Sequence, residues 1–392
     1  MVHDVVIRVP LVLTVLAAGT QGAAAQTTYP NVKIAGRMQG QFYWFDNRAY
    51  AAAAGPESNF FVRRARIEAR GQISENVAVF VQPSFEGGRN LSATTTCSPI
   101  TIPAGGGTVT PNCRTTGRSG FRLRDAWIEV RLGPETARTA IFLRAGQEKR
   151  PFGEYELTSS NNLPSIERGA GAGLPGAASN NLFETHGFLS HDVGAHLRVE
   201  QKLDDVRRAK LTLGAYNGQG ESVNDVNSRK SFGARGTVEV TPKLQLGAAW
   251  FAHDGITPVA GVPDSSFVND AFNLSASWGK PGDEGLYAVA DYMQGEASRE
   301  AKNTLRGISL VGAYHRRLTN PKSWLYAVEP AFRYDYSDPD TAAGADRITT
   351  ITAVLGLYVS SKAQLRFAYE RQSFQGGSPS VSGLRSALTV SF

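Results

Sequence analysis

The chain has 392 residues, with 41 Gly, 13 Tyr and 19 Phe against 2 Cys and 3 Met, and a formal net charge of +6. No segment after the first 25 residues carries the roughly 18 consecutive apolar residues of a membrane helix, and so small a positive balance does not point to nucleic acid. What remains is an exported chain rich in strands and turns.

A charged start containing Arg8 precedes the apolar run Val9 to Ala18 and the small-residue stretch Gly22-Ala23-Ala24-Ala25 before Gln26. That order predicts a cleaved secretory signal over residues 1–25, too short to span a bilayer as a helix, and a single mature domain over residues 26–392.

From Val32 onward apolar and polar residues alternate with a period of two, as in a strand with one face on lipid and the other on water. Val32, Ile34, Met38, Phe42 and Trp44 oppose Lys33, Arg37, Gln39, Gln41 and Tyr43. In the second run Ile67 and Ala69 oppose Arg64, Arg66, Glu68 and Arg70, and in the third Val77, Val79, Val81 and Phe85 oppose Gln82, Ser84 and Glu86. A Gly- and Thr-rich link follows at about 87 to 120 and holds Cys97 and Cys113; export favours a disulfide closing it over a metal pair. Runs beginning near 121 and 139 carry Arg124 and Arg144 and lead into the link 147–190. This link holds Lys149, Arg150, Glu154, Glu156, Glu167 and Arg168, and structureless stretches above about 15 residues are usually functional. Its GAGAGLPG stretch, Gly169 to Gly176, has no strand–turn–helix context or following lysine and does not read as a nucleotide loop.

The alternation continues. Val193, Ala195, Leu197 and Val199 oppose Asp192, His196, Arg198 and Glu200; Val328, Phe332, Tyr334 and Tyr336 oppose Glu329, Arg333 and Asp335; Leu365, Phe367 and Tyr369 oppose Arg366 and Glu370. Unpaired charges are not stable in a dry core, and a wet lumen accommodates them. Strands begin near residues 32, 60, 76, 121, 139, 191, 208, 231, 244, 270, 285, 305, 325, 347, 363 and 384. Short links such as Thr241-Pro242-Lys243 and Ser360-Ser361-Lys362 alternate with long ones, among them 46–59, 217–230, 253–269 and 337–346. Trp44, Trp250, Trp278, Tyr334 and Tyr358 sit near strand ends on the apolar face, and Leu388 to Phe392 closes the chain as a strand with an aromatic last residue. The expected fold is all-β: a transmembrane antiparallel β-barrel of about 16 strands, with short turns on the periplasmic side. A soluble all-β sandwich, propeller or lectin would also alternate, but has no need of aromatic strand ends or so many charges on the opposite faces.

The stretch Gly146 to Arg168, GQEKRPFGEYELTSSNNLPSIER, resembles the phosphate-selective porin family (porins O and P). Phe61 to Gly71, Leu123 to Ala126, Asp192-Val193-Gly194, Tyr216-Asn217-Gly218, Glu329 to Tyr336 and the terminal strand match in order. The resemblance implies a 16-stranded outer-membrane porin, a homotrimer, with its long third loop folded inward as a constriction. It also implies that the barrel assembly machinery reads the last strand during biogenesis.

Solute flow needs no catalytic group, only a passage of set width and charge. Arg64, Arg66 and Arg70 share a face with neighbours at about 7 Å, and with Arg37 they form a basic ladder suited to small anionic solutes. Arg124, Arg144, Lys149 and Arg150 extend it as pore-lining candidates, while Glu154, Glu156, Glu167 and Arg168 lie in the constriction loop. About as many lumen acids as bases allow a blander reading, in which these bases are simply paired across strands. The expected function is passive diffusion with an anion preference. A strict phosphate or polyphosphate channel and a barrel enzyme are the alternatives. The six His are dispersed, without His-x-x-x-His or Cys-x-x-Cys spacing, so no metal or cofactor is expected. Ser190-His191-Asp192 holds triad residue types, but adjacent strand positions face opposite ways.

Overall fold

The computed structural model describes residues 29–46, 57–85, 94–101, 108–116, 121–134, 138–169, 178–223, 225, 228–259, 262–296, 303–320, 323–375 and 379–392. The expected signal over residues 1–25, Glu86 and most of the GAGAGLPG stretch lie outside these described residues.

The wall opens with β1 (Asn31–Asp46), β2 (Glu57–Ser74) and β3 (Val77–Ser84). β4 (Thr94–Thr101) and β5 (Thr108–Thr116) pair only with each other, so the expected loop at 87–120 contains a small sheet of its own. β6 (Arg122–Leu132) and β7 (Thr139–Lys149) resume the wall, and the short helices α1 (Glu154–Leu157) and α2 (Ser179–Thr185) follow. Next come β8 (His191–Lys202), β9 (Arg208–Tyr216), β10 (Ser231–Glu239), β11 (Leu244–Val259) and β12 (Val262–Trp278). β13 (Gly285–Glu296), β14 (Thr304–Arg317), β15 (Ala327–Asp338), β16 (Ile348–Tyr358), β17 (Ala363–Phe374) and β18 (Val381–Ser391) complete it. Each wall strand pairs antiparallel with its sequence neighbours, and β18 closes on β1, giving a closed barrel of 16 strands. Among the described residues no helix is long and apolar enough to cross a membrane.

Period-two patterning sets the two faces of this wall. Val32, Ile34 and Met38 are 56%, 70% and 58% exposed on the outer face, whereas Arg37, Gln39 and Gln41 are each 3% exposed on the inner one. Phe332, Phe367 and Tyr369 point outward in the same way opposite Arg333, Arg366 and Glu370. Tyr358 corrects the expected aromatic girdle. It pairs with Ala327 on the inner face, where its hydroxyl accepts a hydrogen bond from Arg366 at 3.1 Å.

The expected link at 253–269 is instead an extension of β11 and β12, paired as far as Val259 and Val262. Beyond Ala252 and Ala271 neither strand pairs with a third among the described residues. A two-stranded ribbon tolerates Pro258 and Pro263, which suggest a turn when met in the sequence.

Two glycines are fixed by close approach. Gly146 has φ +136, and a Cβ there would lie 2.1 Å from the Ala126 carbonyl oxygen. At the seam, Gly36 and Phe392 exchange backbone hydrogen bonds of 3.1 and 3.0 Å. The Phe392 ring lies over Gly36, and a Cβ on that glycine would fall 2.2 Å from its Cζ.

Candidate pore wall and its loop

The segment between β7 and β8 begins and ends on one buried anchor. Arg150, 3% exposed, pairs with Asp192 at 2.8 Å and donates to the carbonyls of Gly187 and Leu189. Asp192 in turn accepts from the backbone N–H of Gly218, tying in the link after β9. Arg150 therefore clamps the base of the segment.

From this base, side chains of the segment meet inward-facing side chains around most of the wall. Phe152, Leu182, Phe183, Phe188 and Leu189 pack with Tyr216, Phe251, Met293 and Leu305 in an apolar cluster. Tyr155 and Leu163 pack on Tyr287, Val289, Val311 and Ala313, and Ile166 packs on Val354, Ala368 and Ala387. Burying such side chains is worth about 1.5–3 kcal/mol each, so the segment carries its own apolar core. Polar ties reinforce it: the backbone N–H groups of Glu154 and Tyr155 donate to Asp291 at 2.9 and 2.8 Å. Ser179 donates to Asp335 at 2.8 Å, and Arg333 donates to the carbonyls of Glu167 and Gly169.

Glu167 makes the densest ionic contact. Arg63 donates to it twice, at 2.8 and 3.0 Å, Arg64 once at 3.0 Å, and Gln41 once at 2.7 Å. Burial opposes its charge, but Arg63 and Arg64 hold its carboxyl well below the usual range. Seven residues earlier in the segment, Ser160 receives Arg37 at 2.8 Å and Arg66 at 3.3 Å. Arg37, Arg64 and Arg66 thus meet the same stretch of the segment, residues 160–167. Arg70 is exposed further along β2, where its guanidinium lies 5.1 Å from the Phe80 ring centroid, away from that group.

The remaining expected bases take carboxylate partners. Lys149 pairs with Glu156 at 3.0 Å, and Arg168 approaches the same carboxylate at 3.6 Å. Burial disfavours the Glu156 charge, yet Lys149 and Arg168 bring its pKa down to about 2. Arg124 and Arg122 reach Glu221 at 2.6 and 3.1 Å. Arg144 bridges Glu129 and Glu148 at 2.6 and 2.8 Å, with its guanidinium 3.8 Å from the Trp127 ring centroid. Glu154 pairs with Arg235, but burial, the larger influence, still raises its pKa. Much of the expected ladder therefore forms ion pairs, which supports a mixed wall over an unbroken basic track.

Several contributors escaped the sequence reading. Arg63 is one, because a register shift between Gln39 and Gly40 makes it an extra residue in β2 and frees its side chain to join Arg64 on Glu167. Arg235 and Arg385 are others. Arg385 is buried against Glu370 at 3.1 Å, and its alternation with Ala387 and Thr389 was legible. Arg235 sits among small residues that blur the period. Cys97 and Cys113 stand directly opposite in the β4–β5 register. The triad residue types diverge: His191 faces Asp125 at 3.5 Å, while Asp192 binds Arg150.

The profile of the family described as phosphate-selective porin O and P matches residues 32–302, more than half of the chain. Comparison with curated proteins finds no match. Among solved structures, an anion-selective porin from Comamonas acidovorans superposes with a TM-score of 0.56 at 11% identity, covering 93% of this chain and 100% of that one. The outer membrane channel DcaP of Acinetobacter baumannii gives 0.56 at 11% identity, covering 93% and 97%. OmpT, an outer membrane protein of Vibrio cholerae in its trimer form, gives 0.54 at 10% identity, covering 93% and 99%. Identities this low speak for the fold alone. With the profile spanning the wall from β1 to β13, the chain belongs to the phosphate-selective porin O and P family and is an outer-membrane channel protein.

Proposed function

We propose that the channel passes small hydrophilic solutes passively and prefers anions, with the segment between β7 and β8 as its constriction. The observation that carries this reading is the convergence of Arg37, Arg63, Arg64 and Arg66 from β1 and β2 on residues 160–167. Guanidinium groups stay charged and bind carboxylate or phosphate bidentately, so a passing anion meets preorganised donors at that point. The Comamonas neighbour, an anion-selective porin, supports the same sign of preference. A reversal potential under a salt gradient across a planar bilayer tests it, and a cation preference overturns it. The family's description favours a narrower reading, strict phosphate or polyphosphate selectivity. Micromolar phosphate blocking chloride current would establish that reading, whereas the carboxylates of Glu154, Glu156 and Glu167 in the constriction weigh against it.

The remaining features of the proposal concern biogenesis. Residues 1–25 act as the cleaved signal, so the protein isolated from membranes should begin at Gln26. A homotrimer is supported by the trimer form of the Vibrio cholerae neighbour, and assembly passes through the barrel assembly machinery. A disulfide between Cys97 and Cys113 is supported by their facing register and should leave no thiol to alkylate before reduction.

A further inference from the structure

On the short-turn side of the segment between β7 and β8, a cavity of about 320 Å³ lies between its tip and the ends of β14, β16 and β17. None of the bases discussed above lines it. Its volume is at the lower end of small-molecule sites. Three kinds of chemistry meet there. Tyr326 and Tyr358 supply aromatic faces, with Tyr358 held by Arg366 at 3.1 Å and by an edge-on His315 ring at 4.9 Å. His315 is fixed by Glu329 at 3.0 Å. Arg317 and Lys362 bring positive charge to the rim. The third contribution is amide: Asn161 and Asn162, on a turn closed by the Asn162 N–H donating to Ser159 at 2.9 Å, together with Gln364.

The amides decide the ligand class. Gln364 Oε1 is buried, in a residue 8% exposed, and Asn161 Oδ1 is buried in a residue that is itself only half-buried; neither has a hydrogen-bond partner among the described residues. Both are acceptors and call for donors. Chloride has none, and a bare inorganic anion makes no use of two tyrosine faces. A ligand with several hydroxyl groups, a ring or chain that can lie on an aromatic face, and one negative charge satisfies all three. We infer that this vestibule binds a hydroxylated organic anion of monosaccharide size, such as a sugar acid. The inference rests on the reading of the lumen as a solute path.

Calorimetric titration of gluconate into the folded barrel in detergent tests it without reference to ion flow. A single saturable site is expected, with acetate, which is charged but lacks hydroxyls, giving no saturable heat. Arg317→Ala combined with Lys362→Ala should weaken gluconate by at least about tenfold, the scale of a lost charge-assisted hydrogen bond. Asn161→Ala, a change at the segment's tip that leaves the wall intact, should also weaken gluconate. Equal, non-saturating heats for gluconate and acetate mean that only water occupies the amides and overturn the inference, as does undiminished binding by the folded double variant. The reversal potential is independent of these titrations: cation preference with saturable gluconate binding removes the proposed selectivity and keeps this site.

Discussion

Replacing Glu167 by Gln and by Ala separates charge from contact where the segment meets β1 and β2. Glu167 accepts from Arg63 at 2.8 and 3.0 Å, from Arg64 at 3.0 Å and from Gln41 at 2.7 Å. A hydrogen bond to a charged group contributes about 1.5–3 kcal/mol and a neutral one about 1 kcal/mol. Glu167→Gln keeps the shape but takes the carboxylate charge from all four bonds and puts an NH2 donor where one accepting oxygen stood, while the 31% exposed side chain of Arg63 screens its share. We expect a loss of about 2 kcal/mol. Glu167→Ala also leaves the Arg64 side chain, 3% exposed, without its carboxylate, and breaking a buried pair from one side costs about 3–5 kcal/mol. Denaturant unfolding of the refolded barrel measures both losses. The same variants remove one negative charge from the proposed constriction, so the reversal potential should move toward the anion limit while open-channel noise rises. Phosphate should restore stability to Glu167→Ala by taking the carboxylate's place between the two guanidinium groups, and chloride should do so less well. If Glu167→Ala folds with an unchanged reversal potential, unchanged noise and no phosphate rescue, Glu167 neither holds the segment nor balances the pore.

The acid limit of the channel follows from Glu156, whose folded pKa of about 2 lies below its ordinary value of 4.5. A depressed carboxyl stabilises fully above the unfolded value and loses that stabilisation as pH falls through the folded one. The segment should therefore stay docked down to about pH 4.5 and release toward pH 2, with about 3 kcal/mol lost in all, seen as growing current noise on acidification; release near pH 6 would refute it. Gly146→Ala forces a Cβ into contact with the Ala126 carbonyl at a backbone angle that L-residues rarely adopt. It should cost about 2–4 kcal/mol and lower refolding yield, while alanine at Gly312, where a Cβ meets nothing within 4 Å, should not. Gly36→Leu should displace the Phe392 ring and slow assembly, as deletion of Phe392 should, with single-channel conductance of the assembled fraction unchanged.

The wall was legible because lipid on one side and water on the other impose a period of two that few other environments impose. Arg333 and Glu370 could be placed on the inner face by counting alone. Counting fails where the backbone adds a residue: the register shift beside Gln39 turns Arg63 inward, and no local pattern announces it. It also fails at strand ends, where Tyr358 has both an apolar ring and a hydroxyl that Arg366 can reach. The loop was recognisable by its length and motif, but its partners were not. Arg150 looks like any other exposed base until Asp192, 42 positions away, is seen to hold it. Long-range pairing of this kind is decided by closure of the sheet and leaves no trace in neighbouring residues.

The seam of the barrel offers a last consequence. Side chains along β1 alternate in direction, so a slip of β18 by two residues would keep every face correct and would pass a test of polarity alone. It would also carry the Phe392 ring from Gly36, which has no side chain, to Ile34 or Met38, each of which carries a large exposed one. The bare glycine thus works as a keyway that admits the terminal ring at one position. Shape can therefore set the register of closure at a site where hydrophobicity cannot distinguish right from wrong.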